Sequence, residues 1–207
     1  MLRINDTRER LLEAALELIW GQSYGATSVD AICERADVKK GSFYHFFKSK
    51  SELAIAAFEA DWFRNKPRFD AIFSPAVPPL QRLLDAFDFA LERQTELKKK
   101  CGHVLGCPLH ALGSEVGTQD PAIREKMDQL LATKLKYFES AIRDAHAQGQ
   151  IKAPDAKAKT IMLFSCCQGM LTQARIENDL GIVRDMKHVA MDLLGAGQLT
   201  RPELATA

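Results

Sequence analysis

The segment KKGSFYHFFKSK, residues 39–50, places four lysines and a histidine among four aromatic rings. Aromatic rings alone would read as core, and lysines alone as a solvated face. Mixed at this density, they describe a short element that packs on one side and meets an anion on the other. The surrounding charge agrees. Residues 5–34 hold six acidic side chains and two arginines, whereas residues 35–50 hold five basic side chains against Asp37 alone. A local swing of this kind can act as an electrostatic footprint on a chain whose net charge is only +1.

Other chemistries find less support. The five cysteines, Cys33, Cys101, Cys107, Cys166 and Cys167, show neither CxxC spacing nor a zinc-type pairing with histidine, so reduced thiols are expected and no metal. An enzyme built on Cys107 or His110 would need a base and an orienting group. No such set is readable, no glycine-rich phosphate loop is present, and no catalytic residue or cofactor is expected. The 207 residues are 46% hydrophobic and 27% charged, ordinary for a globular chain. No apolar run reaches the roughly 18–20 residues that span a bilayer. The polar start MLRINDTRER is unlike a secretory signal, so the expected location is the cytoplasm, with no membrane partner.

The elements that must position this segment read as helices throughout. DTRE at residues 6–9 looks like a capping box ahead of Leu11, Leu12, Ala15, Leu18 and Ile19 at helical spacing. TSVD at 27–30 opens a short second helix, residues 39–46 form a third, and the SKSE box at 49–52 opens a long fourth. SPAVPP at 74–79 breaks the pattern. Beyond it lie helices over 80–98, 107–116, 121–148, 155–178 and 182–194. The expected fold is all-α with about nine helices. An N-terminal three-helix helix-turn-helix DNA-binding domain (1–50) would be joined by the helix at about 49–66 to a larger effector-binding and dimerisation domain (51–207).

Two short helices around a tight turn, the second basic, form a helix-turn-helix: 27–35, the turn Ala36-Asp37-Val38, and a recognition helix at 39–46. Val38, Phe43, Phe46 and Phe47 would pack inward. Lys39, Lys40, Ser42, Tyr44 and His45 remain for the outer face and ends, and Gly41 would let the backbone approach DNA. Asp37 suits the turn because a short polar side chain tolerates left-handed backbone.

The run TSVDAICERADVKKGSFYHFFKSKSEL resembles the signature of the TetR family of bacterial transcriptional regulators, over some 27 consecutive residues with three motifs in fixed order. The resemblance implies phosphate contacts at Thr27, Tyr44, His45 and Lys50, with Ser28 beside Thr27 at the helix start. It also implies base-edge contacts near Lys39, Lys40 and Ser42. Two positions depart from the pattern. Asp37 stands where a turn glycine is usual, and Lys39 where a capping serine is frequent, exchanging a hydroxyl for a charge.

The family also implies a dimer on a roughly palindromic duplex operator, formed by the last two helices. Ile161, Phe164, Gly169, Met170, Val183, Met186, Val189 and Leu193 supply the apolar side chains for that surface. It further implies a pocket for a small apolar or aromatic effector among the middle helices. Trp62, Phe63, Phe87, Phe89, Tyr137, Phe138 and Met162 would line it, with His110, Gln168 and Arg175 as polar groups; each has an ordinary core or surface reading as well. Repression relieved by an inducer is the family's usual mode. GHVLGCPLHALGSEV resembles a Gly-Cys segment from a branch with cysteine-based sensing. Cys107 is therefore either a reactive thiol for oxidants or electrophiles, with Cys101 as resolving partner, or a buried packing residue. An effector-free architectural DNA binder is the remaining alternative.

Overall fold

A computed structural model describes residues 2–196, with side chains from residue 6 onward. The described residues form nine α-helices and no strand: α1 (Leu2–Gly21), α2 (Val29–Arg35), α3 (Lys40–Phe46), α4 (Lys50–Ile72), α5 (Pro79–Cys101), α6 (Pro108–Val116), α7 (Pro121–Ala147), α8 (Ala156–Glu177) and α9 (Leu180–Leu194). The all-helical expectation holds, and most starts fall where a capping side chain stands. Ser28, Asp155 and Asp179 each accept a hydrogen bond from an amide in the first turn of the helix that follows. The box at the start of α4 is reciprocal: Ser49 Oγ accepts from the Glu52 amide at 3.1 Å, while Glu52 accepts from the Lys48 amide at 2.8 Å.

Two boundaries differ from the sequence pattern by about a turn or more, and others shift by up to three residues. The first helix begins before the DTRE box, so Asp6 sits inside α1 and pairs with Arg10 one turn on, at 3.6 Å. Helix α4 does not stop near residue 66 but runs through Pro67 to Ile72. Proline removes one amide donor from the ladder. The turn beyond it buries Phe69 and Ile72, and apolar burial there offsets the lost bond.

The chain divides into two compact units, and their limits follow a different line from a boundary at residue 50. The first unit takes residues 1–67 together with 107–132, and the second takes 68–106 with 133–207. In the first, α2 packs on α1 and α3, and α6 also packs on α1. Leu11, Leu12, Ala15, Ile32, Phe43, Leu53 and Phe58 form its core, each almost fully buried. In the second, α9 packs against both α5 and α8. Buried Arg82 donates to Asp144 at 2.6 Å and to the carbonyls of Val77 and Pro75, closing the turn that the prolines open.

The segment before α6 is tied down in the second unit. Gln94 is buried and satisfied, accepting from the Leu105 and Gly106 amides and donating to the Gly106 carbonyl, all at 2.9 Å. Asn178, the left-handed cap of α8, accepts from the Val104 amide and donates to the Gly102 carbonyl. Gly106 has φ +69°, and a Cβ there would lie 3.1 Å from the Leu171 carbonyl oxygen. Only glycine fits both demands.

Candidate nucleic-acid interface

The recognition helix is short, and its inner side is fixed by rings. Phe43 is fully buried and Phe47 nearly so, with centroids 6.1 Å apart. Phe46 is partly buried, with its centroid 5.0 Å from the His45 ring. The turn ahead of the helix is fixed by one cation. Arg10 Nη1 donates to the carbonyls of Ala36 and Asp37 at 3.1 and 3.2 Å, from 26 and 27 residues away. Asp37 has φ 52°, so the left-handed backbone expected at that turn is present without glycine.

The outer side carries the other half of the segment. Tyr44 is 54% exposed, its ring standing edge-on to Phe43 at 5.0 Å, so it is not a core residue. Lys39, Lys40, Gly41 and His45 are exposed and Ser42 is partly so. Nothing lies within 4 Å of a Cβ built on Gly41, so its backbone is open to approach. Lys39 occupies the cap position of α3 but makes no side-chain capping bond, as expected where lysine replaces serine. Lys40 is committed in part: its ammonium lies 2.7 Å from Asp30 on α2, whose hydrogen bond and charge push the lysine pKa up.

Three expected contacts are placed differently. Thr27 is only 2% exposed, and its hydroxyl donates to the Ser23 carbonyl at 2.7 Å, so it pins the loop instead of presenting a hydroxyl outward. Ser28 is exposed, yet its oxygen caps α2 by accepting from the Ala31 amide. Lys50 turns inward. Its Nζ donates to the carbonyls of Tyr24 and Thr27 at 2.8 and 2.9 Å and lies 4.0 Å over the Tyr24 ring. It satisfies two carbonyls of the α1–α2 loop, where a phosphate contact was expected.

Two acidic residues that shape this surface escaped the sequence reading. Asp30 does so because a carboxylate opposite a lysine on a neighbouring helix leaves no local pattern. Glu115, on α6, accepts from the amides of Tyr24 and Gly25 at 2.9 and 2.8 Å, some 90 residues back along the chain. No spacing rule reaches that far.

Residues 11–57 match the family model for bacterial regulatory proteins of the tetR family, and residues 79–189 match the tetracyclin repressor-like C-terminal domain. The chain belongs to the TetR family. The transcriptional regulator AcuR of Cereibacter sphaeroides is 30% identical over 173 residues, covering 82% of this chain and 76% of its own. The transcriptional repressor NemR of Escherichia coli K12 is 27% identical over 177 residues, covering 83% and 85%. A crystal structure of a TetR regulatory protein from Rhodobacter sphaeroides superposes with a TM-score of 0.79 at 26% identity, over 89% of this chain and 97% of the other. This TetR-family chain is therefore a helix-turn-helix DNA-binding transcriptional regulator, and no helix among its described residues is long and apolar enough to cross a membrane.

The residues expected to serve an effector are distributed unevenly in this regulator. In the second unit Phe138 is the centre of a ring cluster, with Phe73, Phe87 and Phe164 at centroid distances of 5.2, 6.2 and 5.9 Å. Gln168 is 4% exposed on α8, one turn from Phe164, and its Oε1 has no hydrogen-bond partner. Phe63 and Met162 do not line an interior: they are 57% and 42% exposed. His110 is exposed, and Trp62 is buried in the first unit. Cys107 stands at the cap of α6, 7% exposed, while Cys101 is exposed with its thiol on the His103 carbonyl.

The dimer residues also divide. Phe164, Val183 and Met186 are buried within their own chain, the last two at 1% exposure, so they belong to the α5–α8–α9 core and are not free for a partner. Ile161 and Gly169 are exposed, and Met170, Val189 and Leu193 are half-buried.

Proposed function

We propose that this regulator is a repressor that binds a two-fold symmetric operator as a homodimer and is released by a small-molecule effector. The observation that carries the reading is the outer side of α3. Tyr44 and His45 are exposed on a helix whose inner rings are buried, beside Lys39, Lys40 and an open Gly41 backbone. A solvated helix face has no use for a half-exposed tyrosine beside lysines, whereas a phosphate backbone does. In this reading Lys39, Lys40, Gly41 and Ser42 approach base edges, and Tyr44 and His45 hold phosphates. Ser28, Thr27 and Lys50 act through the loop that sets α2. The chain works by binding and catalyses no reaction.

The dimer face is the exposed side of α8. Ile161, Ser165, Gly169, Thr172 and Ile176 fall on one side of that helix at 3.6 residues per turn, opposite the buried Leu163, Cys167, Leu171 and Ala174. Nothing in the single chain crowds a Cβ at Gly169, so no intrachain contact requires glycine there. The effector site is assigned to the ring cluster around Phe138, with Gln168 as its polar group. A buried acceptor without a partner costs about 1–3 kcal/mol, and a bound donor recovers it. Release follows if the effector binds more tightly to a dimer whose recognition helices no longer match successive major grooves.

Selection of genomic fragments on the purified protein at fixed salt, followed by sequencing, tests this. Enrichment of a site with two-fold symmetry is the expected outcome. Uniform weak binding that disappears with added salt would overturn it in favour of non-specific association.

A further inference from the structure

The loop between α1 and α2 is held from both sides by charged side chains, one at the start of α4 and the other on α6. Lys50 takes its carbonyls at Tyr24 and Thr27. Glu115, on α6, takes its amides at Tyr24 and Gly25, one carboxylate oxygen to each. Inside the loop, Ser23 Oγ accepts from the Ala26 amide and Thr27 donates to the Ser23 carbonyl. Gly25 fits this contact closely, because a Cβ there would already lie 3.4 Å from Glu115 Oε1.

Glu115 is not needed to satisfy these amides. Both are exposed, and water could take its place at little cost. What the carboxylate adds is position: two charge-assisted bonds from a neighbouring helix fix the direction of two successive amides. That helix is docked on α1. The loop leads directly into Ser28, the cap of α2, and α2 carries Asp30, which holds Lys40 of the recognition helix.

We propose that Glu115 is a positioning residue for DNA binding, holding the α1–α2 loop and the start of α2 in the register that the DNA backbone requires. Operator affinity then depends on α6 remaining docked, although α6 itself need not touch DNA. The inference goes beyond the effector and dimer readings and rests only on the DNA-binding activity of the helix-turn-helix.

The test compares the full-length wild type with Glu115→Gln and Glu115→Ala on a fluorescein-labelled duplex carrying the selected site, by anisotropy across a salt series well below the melting temperature. Glutamine keeps the shape but offers one acceptor to two amides. Both variants should bind at least about tenfold more weakly, with a slope of log affinity against log salt shallower by about one, as when one phosphate contact is lost. Hydrogen exchange should quicken at Tyr24 and Gly25 while α3 stays protected. Amides that lose protection with affinity within twofold and slope unchanged would overturn the proposal, since Glu115 would then be a stability contact only. Unchanged exchange would overturn it as well. Absence of specific binding by the wild type would instead count against the operator reading, and exchange at Tyr24 and Gly25 would still report whether the latch exists.

Discussion

Lys40 shows how one neighbouring carboxylate can limit the free charge on the face proposed to meet DNA. Its ammonium is exposed but shared with Asp30 at 2.7 Å, so the helix presents less free charge than its sequence implies. Asp30→Asn frees the lysine and removes a negative group from the same face. Duplex affinity should rise several-fold at low salt, with a steeper slope of log affinity against log salt; unchanged affinity at every salt concentration would mean that Asp30 does not restrain the face that meets DNA. The cysteines separate on the same scale. Burial and the adjacent Cys166 push the Cys167 thiol up to about 12, leaving almost no thiolate at pH 8. A disulfide reagent added to native protein at pH 8 should therefore modify exposed Cys101 first and Cys167 only on unfolding. Early loss of Cys167 would show that α8 opens readily. Asp37 was legible in the sequence because backbone conformation is a local property. The commitments of Lys40 and Lys50 were not, because each is decided by an atom on another element.

The helices themselves were largely readable, since caps and apolar periodicity are local signals. Asp155, Ser49 and the glycine after α7 mark their boundaries by chemistry that spans four residues at most. The readings that shifted, at Asp6 and Pro67, are places where burial of neighbouring apolar side chains outweighed a local preference. Helix α7 begins with the most informative cap. Asp120 Oδ1 accepts from the amides of Ala122 and Ile123 at 3.0 and 3.1 Å, and Oδ2 accepts from Ser51 Oγ at 2.6 Å, joining α7 to α4. Burial alone would raise its pKa, but the Ser51 hydroxyl and the two amides outweigh burial and hold it below the ordinary value. A carboxylate depressed in the folded state contributes stability that is complete above its unfolded pKa of about 3.9. That contribution fades as the pH falls through the lower, folded value. Asp120→Ala should cost about 1 kcal/mol at pH 7, the typical value for a cap. In urea titrations the gap between variant and wild type should narrow steadily below about pH 4. A gap that persists at pH 3 would mean that the uncharged cap does the stabilising.

At the scale of the whole molecule, the sequence located the apolar residues of the last two helices but could not divide them between a chain's own core and a partner. The division depends on which side of α8 meets α9, and that is fixed only when residues far apart in sequence pack. Val183 and Met186 went to the core, whereas Ile161 and Ile176 stayed 51% and 73% exposed. A face of two exposed isoleucines with small residues between them, left uncovered along a 22-residue helix, is what a symmetric partner would bury, because a two-fold axis sets the same surface against itself. Both isoleucines are outside the core, so Ile161→Glu with Ile176→Glu should leave helix content nearly unchanged and lower the melting temperature only by what dimerisation contributes. The pair should nevertheless convert the protein to a monomer in sedimentation equilibrium, since like charges would then face each other across the axis. Two half-sites bound through one rigid dimer gain roughly 10²–10⁴ over independent binding. Operator affinity should fall by about that factor while affinity for random duplex falls far less. A variant that sediments as a dimer would place the interface elsewhere. One that becomes a monomer yet keeps full operator affinity would mean that a single recognition helix suffices, and the two-fold symmetry expected of the site would have no physical basis in this chain.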